Sequence, residues 1–384
     1  VSSPTEMHFA MVAGEQSGDY LGAELIRALR SLYPNAHFSG VGGPQMANEG
    51  IELVAPLDDI TVMGFDGLWS KLGGILRLRS KLRKRYSKEQ PSVFIGIDAP
   101  DFNIKLEAQL RRVGVKTAHY VSPTVWAWRE YRLNGIKRAC DLMLTLFPFE
   151  EQYYRNKNIP VTFVGHPLAS ELTVPSDKTS MRIDAQAEGK MLIALLPGSR
   201  RSEVKRLGKL FLSFIEVAHE RYPDVVFVIP VANKSVDTEL VAMLGEYDDL
   251  PIRLIEGDKA RDLLACADLA VLASGTAALE AALVSTPMIV AYKVSWLTYL
   301  FARLTAHVRY VSMPNHLMSE PVVPELLQGD ANLVNLINIA IPYIEDPEVR
   351  DRQSSALSAI APSLRRNSGE LAALALSELI ESDG

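Results

Sequence analysis

Residues Ile193–Val204 read IALLPGSRRSEV: an unbroken apolar run enters Pro197-Gly198-Ser199-Arg200, and a charged, amphipathic segment follows. A run with no polar alternation is the pattern of a strand buried on both faces, as in a parallel sheet. Gly198 turns the chain, and Ser199 is placed to cap a helix that starts there. A helix start presents free backbone N–H groups and a partial positive charge, which suits a phosphate. Arg200 and Arg201 add forked, permanently charged donors. The stretch therefore reads as a diphosphate clamp. The same residues also fit an ordinary strand-to-helix turn with surface arginines.

Working outward, the same alternation fills the chain. Apolar runs at His8–Gly14, Ala36–Gly43, Ser92–Asp98, Gly114–Pro123, Leu142–Pro148 and Val161–Leu168 alternate with helical patterns. In the first helical segment Leu21, Leu25 and Leu29 share one face. A polar stretch, Ala169–Gly189, reads as a linker. Further runs follow at Val225–Val231, Ile252–Gly257, Leu269–Thr276 and Pro287–Lys293. The expected fold class is α/β: two Rossmann-like doubly wound domains facing an interdomain cleft. The expected boundaries are 1–168, 169–331 and a helical tail, 332–384, packed back on the first domain or swapped with a partner subunit.

A chain of 384 residues suits two cores. Apolar residues make up 48% and charged residues 22%, as in a globular protein. A net charge of −6 does not favour nucleic acid as a partner. The two cysteines, Cys140 and Cys266, lie in apolar surroundings and are expected to be buried and reduced, as in cytoplasm. Val1–Met7 does not read as a secretory leader, and no apolar run reaches the roughly 20 residues of a spanning helix. No His/Cys cluster has metal-ligand spacing, so neither a metal nor a cofactor is expected.

Ligands of open parallel sheets sit beyond the carboxyl ends of strands. Gly14-Glu15-Gln16-Ser17-Gly18-Asp19 follows the first strand but has neither the dinucleotide glycine spacing nor a phosphate-loop lysine. It offers backbone amides and Ser17 to an anion or sugar, or is a structural turn. Asp98 ends a strand in GIDAPDFN and is the favoured general base; Asp101 is its competitor, or caps the next helix. His119 and His166 read as core histidines. In Ser274-Gly275-Thr276-Ala277-Ala278-Leu279-Glu280, small residues let a ligand approach the backbone. Glu280 is placed to accept both hydroxyls of a ribose.

Thr61–Lys88 combines Leu68, Trp69, Leu72, Ile75, Leu76 and Leu82 with Lys71, Arg77, Arg79, Lys81, Arg83, Lys84, Arg85 and Lys88. A basic amphipathic stretch in an acidic protein suggests an anionic membrane surface. Ser295–Tyr310, with Trp296, Leu297, Leu300, Phe301 and Leu304, fits either membrane contact or a core helix.

Taken together, VAGEQSGD, GIDAPDFN, HYVSPTVWAWR, FVGHPL, LLPGSR, ASGTAALE and YVSMPN occur in this order and closely resemble the lipid-A-disaccharide synthases of Gram-negative bacteria. The resemblance runs from near the N-terminus to about Gln328. It implies an inverting glycosyltransferase of the two-Rossmann-domain (GT-B) type that needs no metal. The implied donor is UDP-2,3-diacylglucosamine and the implied acceptor 2,3-diacylglucosamine 1-phosphate (lipid X). The expected products are the β-1,6-linked tetraacyl disaccharide 1-phosphate and UDP. The resemblance further implies a homodimer, peripheral on the cytoplasmic face of the inner membrane. Asp98 matches the base. Ser199, Arg200, Arg201, Gly275, Thr276, Glu280 and Asn315 match the donor side. Gly14, Glu15, Ser17 and Gly18 match the sugar-facing wall. Leu68, Trp69, Leu72, Ile75, Leu76, Arg77 and Trp296 match the membrane contact. The alternative is another UDP-sugar enzyme of the same fold: a peptidoglycan glycosyltransferase or a UDP-N-acetylglucosamine epimerase.

Overall fold

The computed structural model describes residues 7–60, 68–127, 130–172, 179–231, 233–247, 250–296, 298–300 and 309–382, without the side chains of 68–72 and 179–180. Two parallel sheets carry the chain. The first contains β1 (His8–Ala13), β2 (His37–Gly42), β3 (Glu52–Pro56), β4 (Val93–Ile97), β5 (Thr117–Tyr120), β6 (Leu142–Thr145) and β7 (Val161–Phe163). Their order across the sheet is β3-β2-β1-β4-β5-β6-β7. The second contains β8 (Leu192–Leu196), β9 (Val226–Val231), β10 (Ile252–Glu256), β11 (Leu269–Ala273), β12 (Met288–Tyr292) and β13 (Glu325–Leu327), ordered β10-β9-β8-β11-β12-β13. Every ladder is parallel, so helices cover the faces and the central strands are apolar throughout. The edge strands β3 and β13 are short and less apolar, and no expected run coincides with them.

The strand order reverses once in each sheet, between β1 and β4 and between β8 and β11. Two neighbouring loops diverge at such a point and leave a crevice at the carboxyl edge. The Gly14 and Asp98 turns leave one switch point; the Gly198 and Gly275 turns leave the other.

Two compact units result: one of the chain up to Pro167 with Leu364–Gly384, the other Leu168–Ser363. The expected tail is therefore divided rather than a single block. Helix Leu333–Glu345 buries Leu336, Ala340 and Tyr343 in the second unit's core with Phe214 and Phe227. Gln353 pins the following helix: its amide accepts from Met288 N at 2.7 Å and donates to Val322 O at 2.7 Å. Helix Ser368–Glu381 instead joins the first unit, where Ala372 and Leu376 share a core with Leu25 and Leu29 of helix Gln16–Leu32. Tyr33 Oη pairs with Ser377 Oγ at 2.6 Å, and Lys116 Nζ donates to Leu379 O and Ile380 O at 2.7 and 2.9 Å.

Helix Leu68–Glu89 buries Leu78, Leu82 and Tyr86 and exposes Leu76, Arg77, Lys81, Arg83, Lys84 and Lys88. Residues 61–67 and the side chains of Leu68, Trp69 and Leu72 lie outside the described residues, as do Leu297, Phe301 and Leu304. No helix among the described residues is long and apolar enough to cross a membrane. Cys140 and Cys266 are buried, and their thiols donate to Glu107 and to Leu263 O, each at 3.3 Å.

Candidate functional site

In the second unit the turns after β8 and β11 enclose a cavity of about 370 Å³. Its wall includes Gly198, Ser199, Arg200, Gly275, Thr276 and Glu280 from the expected set, and also Glu203, Ser274, Pro230, Gly257 and Tyr292. Gly198 has φ +129°, and a β-carbon there would lie 2.4 Å from Glu203 Cβ, so the turn admits only glycine without rearrangement. Helix Arg201–Arg221 starts behind it with Arg200 as N-cap residue, not Ser199. The cap is the Glu203 carboxylate, which accepts from Ser199 N at 3.0 Å and Arg200 N at 3.2 Å. Asn233 Nδ2 donates to Ser199 O at 2.9 Å and braces the same loop.

The Arg200 side chain is 81% exposed and only 4.0 Å from Glu203, free to fold over an anion. Arg201 does not line the cavity. Its Nε donates to Glu239 at 2.7 Å, because the step from the extended N-cap residue into the helix turns successive side chains apart. Opposite, helix Thr276–Leu283 begins after Gly275 with no side-chain cap, so its first N–H groups are open to a ligand. Glu280, one turn on, accepts from Arg261 Nε at 2.9 Å, which fixes a carboxylate at the rim. Burial and Glu203 push the Tyr292 phenol up, so it remains a hydrogen-bond donor at neutral pH.

Asn315 stands apart from the cavity wall. It is 3% exposed, and its amide is filled: Oδ1 accepts from Val322 N and Val323 N, both at 2.9 Å, while Nδ2 donates to Val323 O at 2.9 Å and Glu325 at 2.8 Å. It ties Met313–Leu317 to β13 and is absent from the cavity wall.

The first unit brings Gly14 and Asp98 together. Gly14 N donates to Ile97 O at 3.2 Å, and Asp98 N to Tyr120 O at 2.8 Å. Asp98 is half-buried and no described residue hydrogen-bonds its carboxylate, so the group is available as a proton acceptor. Asp101, its competitor, is 77% exposed and pairs with Arg132 at 2.6 Å. Glu15 and Ser17 are exposed beside the buried Gly14 and Gly18. Asp19 has a structural task, accepting from Gly43, Gln45 and Met46 N–H at 2.7–3.1 Å. His119 is fully buried against Glu107 at 2.7 Å. Among the described residues no group of His, Cys, Asp or Glu is arranged to hold a metal ion.

Solved structures share this architecture of two parallel sheets. A UDP-N-acetylglucosamine 2-epimerase, described as putative, from Listeria monocytogenes matches with a TM-score of 0.68 at 15% identity, covering 99% of this chain and 98% of that one. The glycotransferase of kitacinnamycin matches at 0.62 and 16%, covering 98% and 100%. At such identities they establish the fold alone. Sequence comparison goes further. The family model for lipid-A-disaccharide synthetase matches residues 9–378. The lipid-A-disaccharide synthase of Hahella chejuensis is 43% identical over 99% of this chain and 96% of its own, and that of Pseudomonas putida 43% over 97% and 98%. The chain belongs to the lipid-A-disaccharide synthase family of glycosyltransferases.

Proposed function

We propose that the protein transfers 2,3-diacylglucosamine from UDP-2,3-diacylglucosamine to the 6-hydroxyl of 2,3-diacylglucosamine 1-phosphate, forming a β-1,6 disaccharide and UDP with inversion. Three observations support this reading: an anion cavity in the second unit, an Asp98 carboxylate in the first that no described residue hydrogen-bonds, and 43% identity over 99% of the chain to an enzyme of that name. Charge grows on the leaving diphosphate as the glycosidic bond breaks. Arg200 and the open N–H groups at Thr276 supply the opposing positive field. Glu280 exchanges Arg261 for the ribose hydroxyls. Asp98 takes the acceptor proton as its oxygen attacks the far face of the anomeric carbon.

The enzyme works as a peripheral membrane protein and as a homodimer. The exposed basic face of helix Leu68–Glu89 and Trp296, 70% exposed, support a seat on an anionic lipid surface, where acylated substrates reside.

The test is turnover of the two substrates in detergent with EDTA present, for wild type and Asp98→Ala. Disaccharide from wild type and a loss of two or more orders of magnitude in the variant, with UDP binding kept, is the expected result. An epimerised UDP-sugar in place of disaccharide moves the assignment to the alternative chemistry. Wild-type turnover in the variant removes Asp98 as base.

A further inference from the structure

We propose that Asn103 and Gly14 are positioning residues that lock the backbone turn carrying Asp98; the proposal rests on the reading of Asp98 as the base. That turn is a conformation the chain does not adopt without restraint. Asp98 and Ala99 have φ of 55° and 42°, two left-handed residues in succession, and Ala99 stands directly before Pro100. In that region a β-carbon crowds the neighbouring carbonyl, and alanine has no side-chain hydrogen bond to offset it. Such a turn persists only where its surroundings over-determine it.

Two contacts supply the restraint. The first is the Asn103 amide, fully buried one turn into the helix that follows. Its Nδ2 donates to Asp98 O at 2.8 Å, to Val12 O at 3.1 Å and, more weakly, toward Ile97 O at 3.4 Å. One amide thus ties the ends of β1 and β4 to the Asp98 peptide. Its Oδ1 is buried with no hydrogen-bond partner among the described residues. A residue present only to complete the core would pair both ends of the amide; here the donor end alone is used, on the carbonyls that define the turn. Aspartate has the same shape but, when ionised, no donor, and alanine has neither.

The second contact is steric. A β-carbon on Gly14 would lie 2.1 Å from Ala99 Cβ. The absence of a side chain at Gly14 lets the Ala99 methyl press against the end of β1, and the left-handed turn closes onto it. Asn103 therefore pulls the turn in from the helix side while Gly14 sets its limit on the strand side. The Asp98 carboxylate is left free of both, while the direction of its Cα–Cβ bond is set by its own backbone.

Steady-state turnover of Asn103→Ala and Gly14→Ala, each in the wild-type and Asp98→Ala backgrounds, tests this, with folding followed by circular dichroism and UDP affinity by calorimetry. An ångström-scale displacement of the base lowers kcat about 100-fold, with both KM values and UDP affinity within about threefold. In the Asp98→Ala background neither change slows the enzyme further, because each acts through Asp98. Adding Ala99→Gly to Gly14→Ala removes the clashing methyl and restores kcat to within about tenfold. Unchanged kcat in folded single variants, or losses that recur undiminished in the Asp98→Ala background, overturns the proposal. Should Asn103→Ala not fold, the Gly14→Ala series decides: rescue by Ala99→Gly supports the lock, and no loss or no rescue overturns it. Wild-type turnover in Asp98→Ala alone removes the base and the proposal with it; loss there, with none in the positioning variants, removes the proposal only.

Discussion

Glu203 holds the backbone N–H of Ser199 at 3.0 Å, so a carboxylate of the protein occupies donors that would otherwise face an incoming diphosphate. Two anions compete for one loop. Glu203→Gln keeps an acceptor for the cap and removes the charge. UDP affinity measured by calorimetry is expected to rise about three- to tenfold, from the loss of repulsion of order 1 kcal/mol. Unchanged or weaker binding would show that the carboxylate moves aside at no cost.

Arg200 and Arg201 are neighbours with opposite expected phenotypes. Arg200→Ala removes the flexible guanidinium at the cavity and should weaken UDP binding by about 2 kcal/mol, roughly thirtyfold. Arg200→Lys should recover part of this, since an ammonium lacks the forked geometry. Arg201→Ala breaks an exposed pair with Glu239 and should leave UDP affinity within about twofold. Equal losses in both alanine variants would mean that Arg201 leaves Glu239 to bind the ligand.

For Asn315 the expected defect is structural. Asn315→Ala strands two backbone N–H groups, a carbonyl and Glu325, at a cost of about 2–4 kcal/mol. Denaturant unfolding should show that loss while folded protein binds UDP as wild type does. A variant with full stability and no UDP affinity would return Asn315 to the ligand.

Acidity should act on the first unit in two opposing windows. Burial pushes the Glu150 carboxyl up to about 7 despite its bonds to Trp126 and Phe147. Its folded value exceeds its unfolded 4.5, so its contribution is complete below 4.5 and is lost between 4.5 and 7, by roughly 3 kcal/mol in all, of which about 1 kcal/mol falls above pH 6.5. Burial holds His166 down to about 4, below its unfolded 6.5, so its contribution is complete above 6.5 and falls toward pH 4. Between pH 6.5 and 8 the Glu150 effect stands alone, and Glu150→Gln should flatten the wild-type decline in melting temperature there. An unchanged slope would mean that another group titrates.

The central strands and the turns after them were legible because apolar runs mark buried strands and Gly-polar turns mark their carboxyl ends, whereas the edge strands β3 and β13 were not. Gly198, Gly275 and Asp98 all stood at such turns. Side-chain direction was not legible. Arg200 and Arg201 look alike in a string, and only the N-cap geometry separates them. Asn315, a polar residue in a motif-like stretch, reads as a ligand contact until its amide is found filled. Glu203 carried a usable signal, three residues beyond the helix start as a capping box requires. Helices Leu333–Glu345 and Ser368–Glu381 carry similar amphipathic patterns. Their assignment to different cores depends on contacts such as Tyr33–Ser377, which sequence spacing does not reveal.

The first unit is discontinuous, and this sets an order of events during synthesis. The second unit is one unbroken segment and can close as soon as Ser363 has left the ribosome. The first must wait, with the face of helix Gln16–Leu32 that meets Ser368–Glu381 uncovered around Glu24 and Ala28, until that last helix arrives. Throughout translation of the second unit that face is an open binding surface for a chaperone, or for the same helix from a neighbouring nascent chain.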